Sequence, residues 1–264
     1  MKFTTSFIVK LGGLATVISL FSASQVLAQE PLKLAVDVPF EPFEYKLSDG
    51  TLTGFEIELG DEVCKRIQRD CEWIVQAWDG MIPGLLSRKY DVIMSSMAIT
   101  PERRQRLLFS EPYYSNPSVW VAAKGSTLNA KDRDSLKGLS VGVQRGTIRD
   151  RYITDTYGNL MDVRRYATGE DLALDIASGR LDTAFMYYPL AISSLNINQD
   201  DSQVMRISEL IREPKEYFGY GVAAAFRPRD KELAEQFNEA LREIKNDGTY
   251  DTLMHKYVDY DIKI

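Results

Sequence analysis

Two short stretches of this chain repeat one pattern. Ser87-Arg88-Lys89-Tyr90-Asp91 leads into the apolar run Val92-Ile93-Met94, and Ser178-Gly179-Arg180-Leu181-Asp182 leads into Thr183-Ala184-Phe185. In each, a helical stretch feeds a Ser-x-basic-x-Asp turn and then a strand with no polar alternation, the mark of a strand buried on both faces. Helices that deliver the chain to buried strands imply α/β layers, and recurrence in the second half implies two lobes built from one unit. A third instance supports this: Leu139 to Val143 enters the turn Gln144-Arg145-Gly146-Thr147, and a helix begins at Ile148. The expected fold class is therefore α/β with two lobes.

The remaining elements fit that plan. Leu32 to Val36 is a short apolar strand, ending in Asp37 and a turn (Val38-Pro39-Phe40-Glu41-Pro42-Phe43) too rich in proline for a helix or a central strand. Asp49-Gly50 marks a hairpin-like turn, and after Gly54 the apolar residues Phe55, Leu59, Val63 and Ile67 recur at four-residue steps, a helix. Trp78 and Asp79 open another helix. Residues 118–123 and 218–225 are extended, apolar and free of turn signals at their centres, and are taken as the two connecting strands. Asp230 to Asn246 is amphipathic through Leu233, Phe237, Leu241 and Ile244, and Asp247-Gly248 stops it. The expected division is a leader over residues 1–28, a first lobe of 29–117 plus 222–264, and a second lobe of 118–221.

The leader sets the compartment. Residues 1–10 carry two lysines and no acid, residues 11–21 are apolar, and Val26-Leu27-Ala28 suits cleavage. The alternative, a membrane anchor, asks for roughly 20 apolar residues, more than this run supplies. A periplasmic protein is expected. Without Lys2 and Lys10 the net charge of −6 becomes −8, which argues against nucleic acid as a partner. Both cysteines, Cys64 and Cys71, lie close together in an oxidising compartment, so a local disulfide is favoured over free thiols. Metal is not expected, since the one histidine, His255, has no second ligand in view. No cofactor is expected, and nothing supplies a nucleophile with a histidine base.

The functional centre is placed at residues 91–109, DVIMSSMAITPERRQRLLF, where a buried strand meets a helix start. Thr100 reads as the N-cap and Pro101 as the first helical residue, which puts Arg103 in the first turn. Free N–H groups at a helix start and a guanidinium fork both favour a carboxylate. Taken alone, such an arginine is more often a solvated surface residue.

The ordered set GFEIEL (Gly54 to Leu59), WDGMIPGL (Trp78 to Leu85), DVIMSSMAITPERR (Asp91 to Arg104), VGVQRGT (Val141 to Thr147) and DGTYDTLMHKY (Asp247 to Tyr257) resembles the periplasmic polar amino-acid binding proteins of ABC importers. The likeness is greatest to the lysine/arginine/ornithine, histidine and opine binding branch, in which the Cys64 and Cys71 pair is also typical. The resemblance implies a two-lobed clamshell, each lobe a mixed sheet flanked by helices, that closes on a small ligand and delivers it to an inner-membrane permease as a monomer. It implies that Arg103 grips the ligand carboxylate, with Ser96 and backbone groups near Ala98, Thr147 and Ile148. It also implies that Asp37 receives a cationic side chain between the rings of Phe40 and Trp78, with Ser95 a further contact. Without the resemblance, core packing is the better reading of Phe40 and Trp78.

Three departures from that pattern bear on the ligand. Ala98 and Ile148 stand where the family usually has hydroxyl residues, and Tyr187 stands where it has the acid that pairs with the ligand's α-ammonium. A phenol carries no charge near neutral pH. Arg145 and Arg149 lie in the turn and first helical residues of the second lobe, either solvated or placed to hold a second carboxylate. The expected ligand is thus a basic or polar amino acid, or a derivative such as the guanidino opines octopine and nopaline. The expected activity is capture without chemistry. The alternative is an enzyme resembling cyclohexadienyl dehydratase on the same scaffold, for which Tyr187, Tyr188 and Glu170 are the candidate acids. A sensory role is not separable from transport in the sequence.

Overall fold

The computed structural model describes residues 1–2, 30–115, 117–260 and 262–264. The leader read over residues 1–28 therefore lies, from residue 3 onward, outside the described residues. Strand β1 (Leu32–Val36) is followed by a hairpin of β2 (Tyr45–Lys46) and β3 (Leu52–Thr53), then helix α1 (Phe55–Arg66) and β4 (Cys71–Val75). A 3-10 turn at Trp78–Gly80 leads into α2 (Met81–Leu86), β5 (Val92–Ile93), α3 (Pro101–Arg104) and β6 (Leu108–Phe109). The second half runs β7 (Ser118–Ala123), β8 (Ser140–Gln144), α4 (Ile148–Tyr157), β9 (Asp162–Tyr166), α5 (Gly169–Ala177), β10 (Thr183–Tyr187), α6 (Tyr188–Leu195), β11 (Val204–Arg206) and α7 (Lys215–Phe218). The chain then returns through β12 (Ala225–Phe226), α8 (Lys231–Asn246) and α9 (Thr249–Tyr257).

These elements make two five-stranded mixed sheets, ordered β4-β1-β5-β12-β6 and β11-β7-β10-β8-β9. In the first, β1 pairs in parallel with β4 and β5, and β12 is antiparallel to β5 and β6. In the second, β8 is parallel to β9 and β10, while β7 is antiparallel to β10 and β11. The fold is α/β in two lobes, and the last strand and last two helices pack with the first sheet. Leu34, Phe55, Leu59 and Phe237 are fully buried in the first lobe, as are Trp120, Val141 and Phe185 in the second.

The repeated turn has a structural reason. Asp91 accepts from the backbone N–H of Lys33 at 3.3 Å, and Asp182 accepts from that of Ser140 at 2.8 Å. Each aspartate thus ties its strand to the parallel neighbour that precedes it, β5 to β1 and β10 to β8. The second turn position is left-handed in both copies, Arg88 at φ 63° and Gly179 at φ 72°. Threonine caps recur as well: Thr100, Thr147 and Thr168 each accept from the backbone N–H three residues on. Cys64 on α1 and Cys71 at the start of β4 are joined as a disulfide. Among the described residues no helix is long and apolar enough to cross a membrane.

The two connecting runs differ in extent from their sequence reading. Residues 118–123 are a full member of the second sheet, and the passage between sheets precedes them, where Tyr114 bridges Val222. Residues 218–225 are not one extended run. Phe218 ends α7, and Gly219 (φ 75°) and Gly221 (φ 108°) turn the chain before β12 begins at Ala225. A side chain at Gly219 would meet the backbone oxygen of Ile99 at 2.2 Å, so close backbone contact sets this bend, which apolar composition does not reveal.

Candidate functional site

The C-terminal ends of the parallel strands of both sheets face one another, the position where open α/β sheets hold ligands. From the first lobe come Asp37 after β1, Trp78 after β4, and Ser95, Ser96 and Ala98 after β5, with Arg103 on α3. From the second come Gln144 and Thr147 to Arg149, after β8, and Tyr187 at the end of β10. The lobes touch here. Trp78 Nε1 donates to the Gly146 oxygen at 3.0 Å, Gln144 Nε2 to Asp37 Oδ2 at 3.4 Å, and the Tyr187 hydroxyl to the Ser96 oxygen at 3.0 Å. At the rim Arg145 pairs with Asp79 at 2.6 Å and Arg151 pairs with Glu102.

Between the lobes lies a cavity of about 580 Å³, lined in part by Trp78, Ile82, Arg103, Thr147, Ile148 and Arg151. Its size is that of a small-molecule site. Arg103 is half buried, with its guanidinium 5.4 Å from the Trp78 ring centre and one nitrogen donating to the Ala98 oxygen at 3.0 Å. Burial pulls it below the ordinary arginine range. Phe40 is buried and meets Tyr187 edge-on at 5.0 Å. It therefore stands against the second-lobe tyrosine, while the Trp78 ring carries Arg103.

Asp37 follows β1, the neighbour of β5 in the sheet, and is not among the residues that line the cavity with Arg103. Burial, reinforced by Asp79 and opposed by the Gln144 hydrogen bond, pushes its carboxyl up to about 7. Removing a carboxylate from water without a cation beside it has this effect, and a cationic partner reverses it.

Ser95 and Ser96 direct their hydroxyls into the first lobe. Ser95 Oγ donates to Glu44 at 3.2 Å and accepts from the Asp37 N–H at 2.9 Å, while Ser96 Oγ lies 2.6 Å from the Tyr114 hydroxyl. Ser96 is left-handed (φ 51°), held by its N–H donating to Glu56 at 2.5 Å and its oxygen accepting from Tyr187. Behind them Glu44 and Glu56 are almost wholly buried, and Tyr113 donates to Glu56 at 2.5 Å. Burial raises both acids, Glu44 well above its ordinary range with the charge of Glu56 adding to the effect. This acid pair escaped the sequence reading, because acids beside Phe43 and Phe55 look like the solvated flank of an amphipathic element. Gln144 was legible only as a turn residue.

Arg149 differs from every other arginine at the site. It is 2% exposed, lies against the face of the Tyr187 ring, and none of its three side-chain nitrogens has a hydrogen-bond partner among the described residues. Burial lowers its guanidinium to about 10. Arg145, the other candidate for a second carboxylate, is exposed and paired with Asp79.

Residues 32–260 match the model of the bacterial extracellular solute-binding proteins, family 3. The chain is 37% identical over 253 residues to the lysine/arginine/ornithine-binding periplasmic protein of Escherichia coli (strain K12), covering 96% of this chain and 95% of that one. Among solved structures, an ancestral arginine-binding protein bound to arginine superposes with a TM-score of 0.78 at 29% identity, over 87% of this chain and 99% of the other. The ancestral amino acid-binding protein AncCDT-1, a precursor of cyclohexadienyl dehydratase, does so with a TM-score of 0.73 at 28% identity, over 86% and 94%.

Proposed function

Since the chain belongs to the bacterial extracellular solute-binding proteins, family 3, we propose that it is the periplasmic receptor of an ABC importer for a basic or polar amino acid or a derivative of one. The observation that carries this reading is the cavity of about 580 Å³ between the lobes, with Arg103 on one wall and the first residues of α4, Thr147 and Ile148, on the other. Arg103 binds the ligand carboxylate, and the free N–H groups at the start of α4 add donors of the same sign. Asp37 receives the basic group, with Phe40 and Trp78 as its flanking rings and Ser95, Ser96 and Ala98 shaping the wall of the first lobe. The lobes comprise residues 29–117 plus 222–264 and residues 118–221, and the Trp78, Gln144 and Tyr187 hydrogen bonds are those made on closure. The closed receptor docks as a monomer on an inner-membrane permease.

Capture without chemistry is the better reading of the site. An enzyme of the cyclohexadienyl dehydratase kind needs a general acid aimed into the cleft. The Tyr187 hydroxyl is committed to the Ser96 oxygen, and the Tyr188 hydroxyl lies near the Asn198 side chain. Glu170 borders a separate groove beside Glu41 and Leu174.

A thermal-shift panel of arginine, lysine, ornithine, histidine, glutamate, octopine and nopaline tests the reading. A ligand at a hundredfold its dissociation constant stabilises by about 2.7 kcal/mol. Arg103→Ala should abolish the shift without altering circular dichroism. No shift with any of the panel would refute the assignment.

A further inference from the structure

We propose that the groove between residues 39–41 of the first lobe and helices α5 and α6 of the second is where a basic segment of the inner-membrane permease docks. Leu174 is its apolar contact, and Glu41, Glu170 and Asp171 are its charged ones. This rests on the receptor reading above and says which face of the closed receptor the partner takes. The groove holds about 460 Å³ and shares no lining residue with the cavity beside Arg103. Its walls come from both lobes: Pro39 and Glu41 from one, α5 and α6 from the other, with Ser193 Oγ donating across to the Glu41 oxygen at 3.2 Å.

Helix α5 carries more apolar surface than its own packing uses. Leu172, Ala173 and Ile176 are buried, whereas Leu174 lines the groove and is 63% exposed. Among the described residues only Met1 and Ile264, at the chain ends, are large apolar side chains more exposed than this. Leu174 stands one turn after Glu170 and one turn before Ala177, which sets the three along the groove. An apolar strip rimmed by charge is the mark of an interaction surface. Here the charge has one sign. No lysine or arginine lines the groove, and Glu41 and Asp171 add to burial in raising the Glu170 carboxyl. The carboxylates are not gathered around a metal site, since no such cluster occurs among the described residues. They suit the cations of a peptide segment, which also brings an apolar group to Leu174. Closure brings Glu41 up to Glu170 and Asp171 against their repulsion, and a cation from the partner relieves it. The partner therefore favours the closed receptor, and by reciprocity the closed receptor favours the partner.

The test is uptake of whichever radiolabelled solute of the thermal-shift panel binds, into spheroplasts that keep the permease but lack this receptor, with purified receptor added back. The variants are Leu174→Ser and the pair Glu170→Gln with Asp171→Asn, all at exposed positions, so that the fold is kept and circular dichroism checks it. Neither should lose more than about twofold in solute affinity by calorimetry, and each should need about tenfold more receptor for half-maximal uptake. Glu216→Gln with Glu239→Gln, which removes two exposed acids elsewhere, should match wild type. Groove variants that drive uptake like wild type overturn the inference and leave the receptor reading standing, and so does an equal loss in the outside pair. A fall in solute affinity large enough to account for the lost uptake also overturns it, because the groove would then serve closure alone. A wild-type dimer in sedimentation that Leu174→Ser dissociates makes a second copy the occupant, with the same consequence. If wild-type receptor restores no solute-dependent uptake, the importer reading itself fails and the inference falls with it.

Discussion

The hydroxyl of Tyr187, at the end of a second-lobe strand, donates to the backbone oxygen of Ser96 in the first lobe at 3.0 Å, across the cleft and out of water. It joins a second-lobe side chain to a residue held left-handed by the buried Glu56. Closure of the lobes is thereby linked to the acid pair behind the first wall.

Removing only that hydroxyl weakens closure. Tyr187→Phe keeps the ring against Arg149 and Phe40 but leaves the Ser96 oxygen without its donor, a loss of about 1 kcal/mol. Affinity should fall roughly fivefold at unchanged melting temperature of the ligand-free protein, a difference that calorimetry and differential scanning read separately. Unchanged affinity would mean that the bond does not contribute to the closed state.

Ligand binding should depend on pH through Asp37. Its carboxyl is raised by burial to about 7. For a raised acid, the associated stability is present below the ordinary value and is lost as pH rises through the folded value, so the ligand-free closed form weakens towards pH 8. A cationic side chain prefers the ionised carboxyl and expels the proton. Affinity for arginine-type ligands should therefore rise by up to about tenfold per pH unit between pH 5 and 7, then level off. Asp37→Asn should be weak and flat across that range. A wild-type profile as flat as the variant's would show that Asp37 takes no cation.

The buried acid pair should show in stability, not in affinity. Glu44 is raised well above its ordinary 4.5, by burial first and by the charge of Glu56 next. Its contribution is present in full below the ordinary value and drains away as pH rises towards the folded one. Glu44→Gln keeps an acceptor for Ser95 and removes the titration. The melting temperature of the variant relative to wild type should climb between pH 5 and pH 8. A difference independent of pH would mean that the carboxyl titrates normally.

The Cys64–Cys71 disulfide closes a short loop, with a sequence separation of 7. Replacing both cysteines by alanine should cost about 2 kcal/mol in chemical denaturation and leave ligand affinity unchanged, because the bridge staples α1 to β4 away from the cleft. Loss of binding in the folded variant would contradict that placement.

What the sequence determined by itself is local. The Ser-x-basic-x-Asp turn, the threonine caps and the apolar runs each state how a few adjacent residues must sit, and the two-lobed α/β plan follows from their repetition. The closeness of Cys64 and Cys71 is legible for the same reason. Tertiary structure alone decided which polar groups meet. Ser96 and Glu56 are 40 residues apart, and Glu56 and Tyr113 are 57 apart, so no periodicity announces that Glu56 is buried. It also distinguished Arg149 from Arg145, since α4 sets the first guanidinium against Tyr187 while the second, in the turn before that helix, lies in solvent beside Asp79. The bend at Gly219 is of the same kind, set by the approach of Ile99 from another part of the chain. Local propensity acts through neighbours in sequence, whereas burial and the pairing of charges act through neighbours in space, and a cleft between two lobes is made almost wholly of the second kind.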